Sequence, residues 1–265
     1  MRRHDRGVHH TMVTEVIEAI TTLKKDERLG AMITVIDGPD IGSVVVVDRS
    51  DGRIAGDEAP WFGEDIISDA NDLMDREESK SLVYGDRRIF IDTIAPSPIM
   101  LIFGAGHIAQ PLSLFARELG FRVVVADARA TWATPERFPN VDELIVAWPD
   151  AVFDHIAPDR RTYVVLLSHD SRFEVPVFDA VHGKPIRYLG AMGSRRTHGL
   201  RVDRLAAEGW TVEQIDTIHG PIGLDLKGKS PAETAIAILA EVIRVRYGAG
   251  SAISLRGTDA AIHNT

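Results

Sequence analysis

The chain has 265 residues, 45% of them hydrophobic and 26% charged, which is the composition and length of a globular protein with a buried core. Its 30 Lys and Arg against 39 Asp and Glu give a formal net charge of −9, which disfavours nucleic acid as a partner. Cysteine is absent, which excludes disulfides, thiolate nucleophiles and Cys-ligated metal centres. No apolar run reaches the roughly 20 residues of a membrane span. Residues 1–11 lack the apolar core of a secretory signal, so we expect a cytoplasmic protein.

The N-terminal third predicts a small α+β domain over residues 13–94, preceded by a flexible tail over 1–12. Its predicted elements are helices at 14–28 and 62–77, strands at 31–37 and 43–48, and a hairpin that turns at Gly85-Asp86 between two further strands. Two prolines within 95–98 cannot continue a helix or a central strand, so we place the domain boundary there.

Beyond this linker, strand and helix patterns alternate, which predicts an α/β fold. The expected architecture is a Rossmann-like, doubly wound parallel sheet over 97–250, followed by a C-terminal tail at 251–265. The predicted strands are 98–104, 121–127, 143–147, 162–168 and 185–193, and the predicted helices are 107–119, 149–156, 174–182, 195–208 and 231–246.

The strongest local signal is the run Gly104-Ala105-Gly106-His107-Ile108-Ala109, which matches G-x-G-x-x-A between a buried strand and a helix. Gly104 permits the tight turn, Gly106 lets the backbone approach a pyrophosphate, and Ala109 allows the helix to pack against the strand. His107 stands where the helix start offers free N–H groups to phosphates. Asp127 ends the next strand, where an acid can accept hydrogen bonds from ribose hydroxyls. The run predicts a nucleotide-binding site, with a purely structural Rossmann loop as the alternative.

Arg129 follows Asp127 by two positions. It either accommodates a ribose 2′-phosphate or is a solvated surface residue. The choice between phosphorylated and unphosphorylated nucleotides therefore stays open.

A second glycine-rich run carries positive charge. Gly190 and Gly193 follow a predicted strand, Ser194 is a candidate N-cap, and Arg195 and Arg196 occupy the first turn of the next helix. Cations at a helix N-terminus oppose the macrodipole, which favours a bound anion there. The two readings are contact with a ligand phosphate or pterin, and a salt bridge to the acidic surface.

His169 and Asp170 lie at the carboxyl end of a central strand, where ligands of open α/β sheets bind. With His107 they are the candidate catalytic residues, and helix capping is the alternative role for His169. Adding Glu174 gives only three potential ligands close in sequence, so we assign no metal. The run His219-Gly220-Pro221-Ile222-Gly223-Leu224-Asp225 predicts a loop that shapes a site, before a helix that a Ser230/Glu233 capping box starts.

Five motifs in order make the chain similar to the XdhC/CoxI family over about residues 97–247. They are GAGHIAQPL, VVVADARATWATPERFP, LLSHD, YLGAMGSRRTH and HGPIGLDLKGKSPAETAIAILAEVI. The resemblance implies an accessory protein of xanthine or carbon monoxide dehydrogenase rather than an enzyme. It would bind a molybdopterin-type cofactor or its dinucleotide form in the Rossmann domain, help its sulfuration and deliver it. The implied partners are the apo molybdenum hydroxylase and a sulfurase. Packing through the small domain, as in the family, makes a homodimer a further expectation.

The N-terminal half departs from that family. Typical members of the family carry the motifs Gly-Ser-x-Pro-Arg and Gly-Gly-Cys-x-Glu. This chain instead has DGPDIGS at 37–43 and IAGDE at 54–58, so the arginine of the first motif and the cysteine of the second are missing. Glu174 also stands where the family would have Asp. Any sulfur or molybdenum chemistry of that cysteine is unavailable to this chain.

Two other function classes remain open. An NAD(P)-dependent oxidoreductase is motivated by the Gly104 run and Asp127, with His107 or His169 as the proton donor. A degenerate partner that only scaffolds a complex is favoured by the missing N-terminal motif.

Overall fold

The computed structural model describes residues 5–57, 59–168, 170–248, 252–254 and 256, without the side chains of 5–12 and of Ser171. It divides into two compact units, Met1–Pro96 and Ser97–Thr265. His169 lies outside the described residues.

The first unit is an antiparallel sheet of order β3-β2-β1-β5-β4 with two helices. Its elements are α1 (Asp5–Lys25), β1 (Gly30–Asp37), β2 (Val44–Asp48), β3 (Gly52–Gly56), α2 (Glu64–Arg76), β4 (Lys80–Tyr84) and β5 (Arg87–Ile94). Successive side chains of β2 point to opposite faces of the sheet, and each face is covered by one helix. Val45 and Val47 pack with α2, whereas Val46 packs with α1.

Two details of this unit differ from the sequence expectation, and a third bears on the missing cysteine. The helix predicted over 14–28 begins at Asp5, so its backbone includes part of the stretch expected as a tail. The strand β3 after the Asp51-Gly52 turn was not predicted, because its residues are largely exposed and carry no apolar run. Gly56, in the motif position of the family's cysteine, has φ +112, and a Cβ there would lie 2.2 Å from the Val44 carbonyl oxygen. This backbone therefore leaves no room for a cysteine side chain.

The second unit is a six-stranded, all-parallel sheet of order β11-β10-β9-β6-β7-β8. Its strands are β6 (Ile99–Phe103), β7 (Arg122–Ala126), β8 (Glu143–Ile145), β9 (Thr162–Leu166), β10 (Tyr188–Ala191) and β11 (Ile218–His219). Its helices are α3 (Ala109–Glu118), α4 (Pro149–Phe153), α5 (Ser171–Val181), α6 (Arg195–Ala207), α7 (Val212–Asp216) and α8 (Pro231–Tyr247). The predicted doubly wound fold is confirmed, and the order reverses between β6 and β9.

Both faces of this sheet are covered by helices. Met100 and Ile102 of β6 pack with α3 and α8, whereas Leu101 and Phe103 pack into the cluster that includes α5 and α6. Sequence analysis missed α7 and β11. A two-residue strand gives no periodic signal, but the capping box of Thr211 and Gln214 indicates α7 and could have been found. No helix of the described residues is long and apolar enough to cross a membrane.

Candidate functional site

The candidate site lies at the carboxyl edge of the parallel sheet. In the strand register Phe103 is level with Ala126 and Leu166, and Leu166 is level with Ala191. The residues that follow these positions therefore emerge at one edge, beside the reversal between β6 and β9 where ligands of this fold bind. The sequence-predicted site residues belong to the loops at this edge.

The first glycine loop, residues 104–107, is held tightly by its surroundings. Gly104 has φ +106, and a Cβ there would lie 3.3 Å from the backbone of Leu167 and Ser168. The Ala105 N–H donates to an Asp127 carboxylate oxygen at 2.8 Å, and the Gly104 N–H donates to the Ala126 carbonyl. This loop is fixed before any ligand arrives.

Asp127 is fully buried and saturated by partners from the protein. Besides the Ala105 N–H, it accepts hydrogen bonds from the Arg129 N–H, Nε and Nη2 at 2.9, 2.9 and 2.7 Å. Burial raises the pKa of Asp127, but these hydrogen bonds outweigh burial and hold the pKa below its ordinary value. A carboxylate has about four acceptor sites, so Asp127 has none left for ribose hydroxyls in this arrangement. The predicted contact with ribose lacks a free acceptor here.

Two arginines and a tryptophan complete the support of the first glycine loop. Arg137 donates to the Ala105 carbonyl at 2.9 Å and to the Trp132 carbonyl at 2.6 Å. The guanidinium carbons of Arg129 and Arg137 lie 5.0 and 4.8 Å from the centre of the Trp132 ring, within the range of cation–π contacts. Sequence analysis did not assign Trp132 or Arg137, because nothing in their spacing shows that their partners lie in the glycine loop.

The outer side of the first glycine loop is open. A Cβ on Gly106 would meet no atom within 4 Å. His107 is exposed and touches the Trp132 ring edge-on, with ring centres 5.6 Å apart. Ala109 is buried, as expected of the residue that packs α3 against the sheet. The loop therefore presents bare backbone to solvent over a rigid base.

The second glycine loop, residues 190–196, combines a cap with free charge. The Ser194 hydroxyl accepts from the Thr197 N–H at 3.0 Å, which confirms the predicted N-cap of α6. Arg195 and Arg196 are exposed in the first turn. Among the described residues neither makes a hydrogen bond or ion pair, and Arg195 lies near enough to Asp225 to contribute to the lowered pKa of that carboxyl. These two cations therefore stand at a helix N-terminus without a fixed counter-ion from the part of the chain that the structure describes.

A buried ion pair anchors this loop from beneath. Arg201 on α6 donates to both Glu174 carboxylate oxygens, at 2.7 and 3.2 Å, and to the Met192 carbonyl at 3.0 Å. Arg201 and Glu174 are 2% and 5% exposed. Glu174 is therefore committed to the support of the loop.

Comparison with known proteins assigns the chain to a family. The model of the XdhC Rossmann domain matches residues 100–242. The chain belongs to the XdhC family. It is 42% identical to the molybdenum cofactor insertion chaperone PaoD of Escherichia coli over 286 aligned positions, which cover 90% of this chain and 89% of PaoD.

Two further relatives of this XdhC-family chain differ more. It is 28% identical to a protein of Bacillus subtilis named as a probable xanthine dehydrogenase subunit, over 158 residues, which are 60% of this chain and less than half (46%) of that protein. A crystal structure titled as a xanthine dehydrogenase from Bacillus halodurans superposes with a TM-score of 0.52 at 18% identity. That superposition covers 86% of this chain and 93% of the other, and it supports the fold alone.

Gly190 of this family member serves packing rather than ligand access. A Cβ there would lie 2.5 Å from the Ile222 side chain and 2.6 Å from the Tyr188 hydroxyl. Gly193 has φ +153, and its Cβ would lie 3.1 Å from Thr197. Both glycines shape the second glycine loop, and their role in cofactor binding stays a prediction.

A buried polar cluster holds the loop that carries His219 to Asp225. Glu241 of α8 accepts from the Tyr188 hydroxyl at 2.7 Å and from the Gly223 N–H at 2.9 Å, and its other oxygen lies 3.4 Å from His219 Nδ1. Burial raises the pKa of Glu241, but these partners outweigh burial and lower it. The sequence predicts that this loop shapes a site, and Glu241 is the residue that fixes it.

Asp170, the remaining described candidate, serves as a helix cap. Asp170 caps α5 through the Arg172 N–H and pairs with the Arg172 guanidinium, and hydrogen bonds from Arg172 lower its pKa. It is a carboxylate at neutral pH and a poor proton donor. Within the part of the chain that is described, no three His, Cys, Asp or Glu side chains are grouped closely enough to hold a metal ion. His169, the other candidate from this strand end, lies outside the described residues.

Proposed function

We propose that this chain binds a molybdopterin-type cofactor as its cargo and hands it to an apo molybdenum hydroxylase. One observation carries the proposal. Arg195 and Arg196 stand exposed at the N-terminus of α6, beside the carboxyl edge on which Gly106 presents open backbone. Such an arrangement suits the phosphate or pyrophosphate of a pterin cofactor.

The charge distribution supports an anionic cargo. The whole chain has a formal net charge of −9. Two exposed cations without fixed partners at one edge are therefore a local exception to an acidic surface. Positive charge placed against the helix dipole costs a few tenths of a kcal/mol, and a bound anion offsets that cost.

The likeness to PaoD supports the same reading, because that relative is named a molybdenum cofactor insertion chaperone and nearly its whole length is matched. The nucleotide form of the cargo is left open by this likeness. For NAD(P), the carboxylate expected to accept from ribose is already saturated by Arg129 and Ala105. This arrangement favours the chaperone over the oxidoreductase.

We also propose where the cofactor is delivered and which further partner takes part. The cytoplasm, where molybdenum hydroxylases of this kind would be loaded, is the proposed location, and a sulfurase is the proposed further partner. Because the motif cysteine is missing and Gly56 has no room for it, sulfur would come from such a partner and not from this chain.

The test is cofactor content after purification. The chain is produced in cells that make molybdenum cofactor and purified under reducing conditions, and pterin and molybdenum are assayed per protein. We expect both in the wild type, and at least a tenfold reduction in Arg195→Ala/Arg196→Ala, since charge-assisted hydrogen bonds contribute about 1.5–3 kcal/mol each. Arg76→Ala/Arg88→Ala removes two exposed arginines of the first unit and should retain the cofactor.

A wild-type protein that carries neither pterin nor molybdenum would refute the proposal. A titration with NAD and NADP completes the test, because micromolar binding with turnover of a small carbonyl compound would favour the oxidoreductase instead.

A further inference from the structure

The outer face of α8 carries an apolar stripe that none of the described residues covers. It consists of Ala232, Ile236, Ala240, Ile243 and Tyr247. The spacings of four, four, three and four residues place them on one face of the helix. The side chains of Ile236, Ile243 and Tyr247 are 50%, 39% and 54% exposed, while Ile238 and Val242 on the inner face are fully buried.

The order of side chains along the stripe is self-complementary. Ile236 and Ile243 lie equally far from the helix midpoint between Leu239 and Ala240, and the same holds for Ala232 and Tyr247. An antiparallel second copy would therefore place isoleucine against isoleucine and the large tyrosine against the small alanine. Ala240 at the crossing point is small enough for close approach of the two helices.

The charges beside the stripe fit the same pairing. At about 100° per residue, Glu233 and Arg244 lie on the same flank of α8, one near each end. A two-fold axis perpendicular to antiparallel helices brings this flank against the same flank of the partner. Glu233 of each copy would then lie beside Arg244 of the other, offset by about 3 Å along the axis.

We infer that the outer face of α8 is a two-fold interface with a second copy of this chain. This surface is independent of what the Rossmann domain binds. A contact one helix long is smaller than the roughly 1,200–2,000 Å² of a standard stable interface. We therefore expect a dimer that dissociates on dilution in the micromolar range.

The first test is sedimentation velocity over a range of protein concentrations. Ile243→Lys puts a charge into the centre of the apolar pairing and should raise the dimer dissociation constant at least about tenfold. Lysine is a good helix former and is favoured near a helix C-terminus, so α8 should stay folded. Leu200→Lys on α6, where Leu200 is 63% exposed, is the control and should leave the dimer unchanged.

The second test uses the absence of cysteine from the chain. Ala240→Cys introduces a single thiol next to the proposed axis, and mild oxidation should link it to the same residue of a second copy. Leu200→Cys is more exposed and should cross-link far more slowly.

Three results would overturn the inference. They are a wild-type chain that stays monomeric at the highest soluble concentration, a dimer that Ile243→Lys leaves intact, and equal cross-linking of the two cysteine variants. If Ile243→Lys instead abolishes binding of an apo hydroxylase to a monomeric wild type, the stripe is a client surface and the two-fold assignment fails.

Discussion

The two glycine loops at the carboxyl edge differ in how their polar groups are used. In the first, residues 104–107, Asp127 and Arg137 hydrogen-bond to the Ala105 backbone, and Arg129 in turn donates to Asp127. The polar groups behind this loop are therefore already paired within the protein. In the second, residues 190–196, the fixed pair lies beneath the loop, and Arg195 and Arg196 remain exposed. The first loop therefore supplies a rigid surface and the second supplies charge.

In the proposed site the first loop therefore determines the shape of the binding surface, and the second loop provides most of the affinity for an anion. A rigid loop restrains a ligand without ordering itself at the moment of binding, which lowers the entropy cost. Exposed arginines lose side-chain freedom on binding, but they form charge-assisted hydrogen bonds with an anion. Variants of Gly104 and of the side chains that support the first loop should mainly change stability. Variants of Gly106 and of the second loop's arginines should mainly change ligand content.

The largest effect is expected at the anchor of the second glycine loop. Glu174→Ala leaves the Arg201 guanidinium buried without its carboxylate, and loss of one partner of a buried pair costs about 3–5 kcal/mol. Denaturant unfolding should show a loss of that size. A change below about 1 kcal/mol would mean that water reaches Arg201 and that the pair is not an anchor.

A pair of glycine variants sharpens the comparison within the first loop. Gly104→Ala forces φ +106 on an alanine and places its Cβ 3.3 Å from Leu167 and Ser168, so unfolding free energy should fall by about 1–3 kcal/mol. A Cβ on Gly106 would meet no atom within 4 Å, so Gly106→Val should unfold within about 0.5 kcal/mol of the wild type. Its branched side chain should nevertheless reduce the pterin retained on purification. Equal stability losses in the two variants would contradict this account of the loop.

The smallest effect concerns acid stability at Asp127. Because the folded pKa lies below the ordinary value of about 3.9, its contribution to stability is present above that pH and is lost as pH falls through the folded pKa. Asp127→Asn should therefore be less stable at pH 7 and should lose less further stability between about pH 5 and 2. Parallel pH profiles of the variant and the wild type would show that the four hydrogen bonds do not stabilise the ionised form.

The fold could be predicted from the sequence because the patterns that indicate it involve residues close together in the chain. Apolar strand runs, alternating helices and the Gly104–Ala109 fingerprint predict a Rossmann-like doubly wound sheet without long-range information. The register of β6 with β7 and β9 then brings the predicted loops to one edge.

The site was less predictable because it depends on side-chain partners that are distant in sequence. Nothing near Arg201 shows that it meets Glu174, 27 positions away, and nothing near Glu241 shows that it meets Tyr188, 53 positions away. Asp127 illustrates the opposite case. Its position at the strand end was predicted, but its availability depends on how the neighbouring Arg129 is oriented.

The most direct test of the proposed site is amide hydrogen exchange, measured on cofactor-loaded and cofactor-free protein. The account predicts slower exchange on loading in the backbone of residues 105–108 and 193–198, and unchanged exchange in the hairpin of β4 and β5 in the first unit. Protection confined to that hairpin, with both glycine loops unchanged, would contradict it.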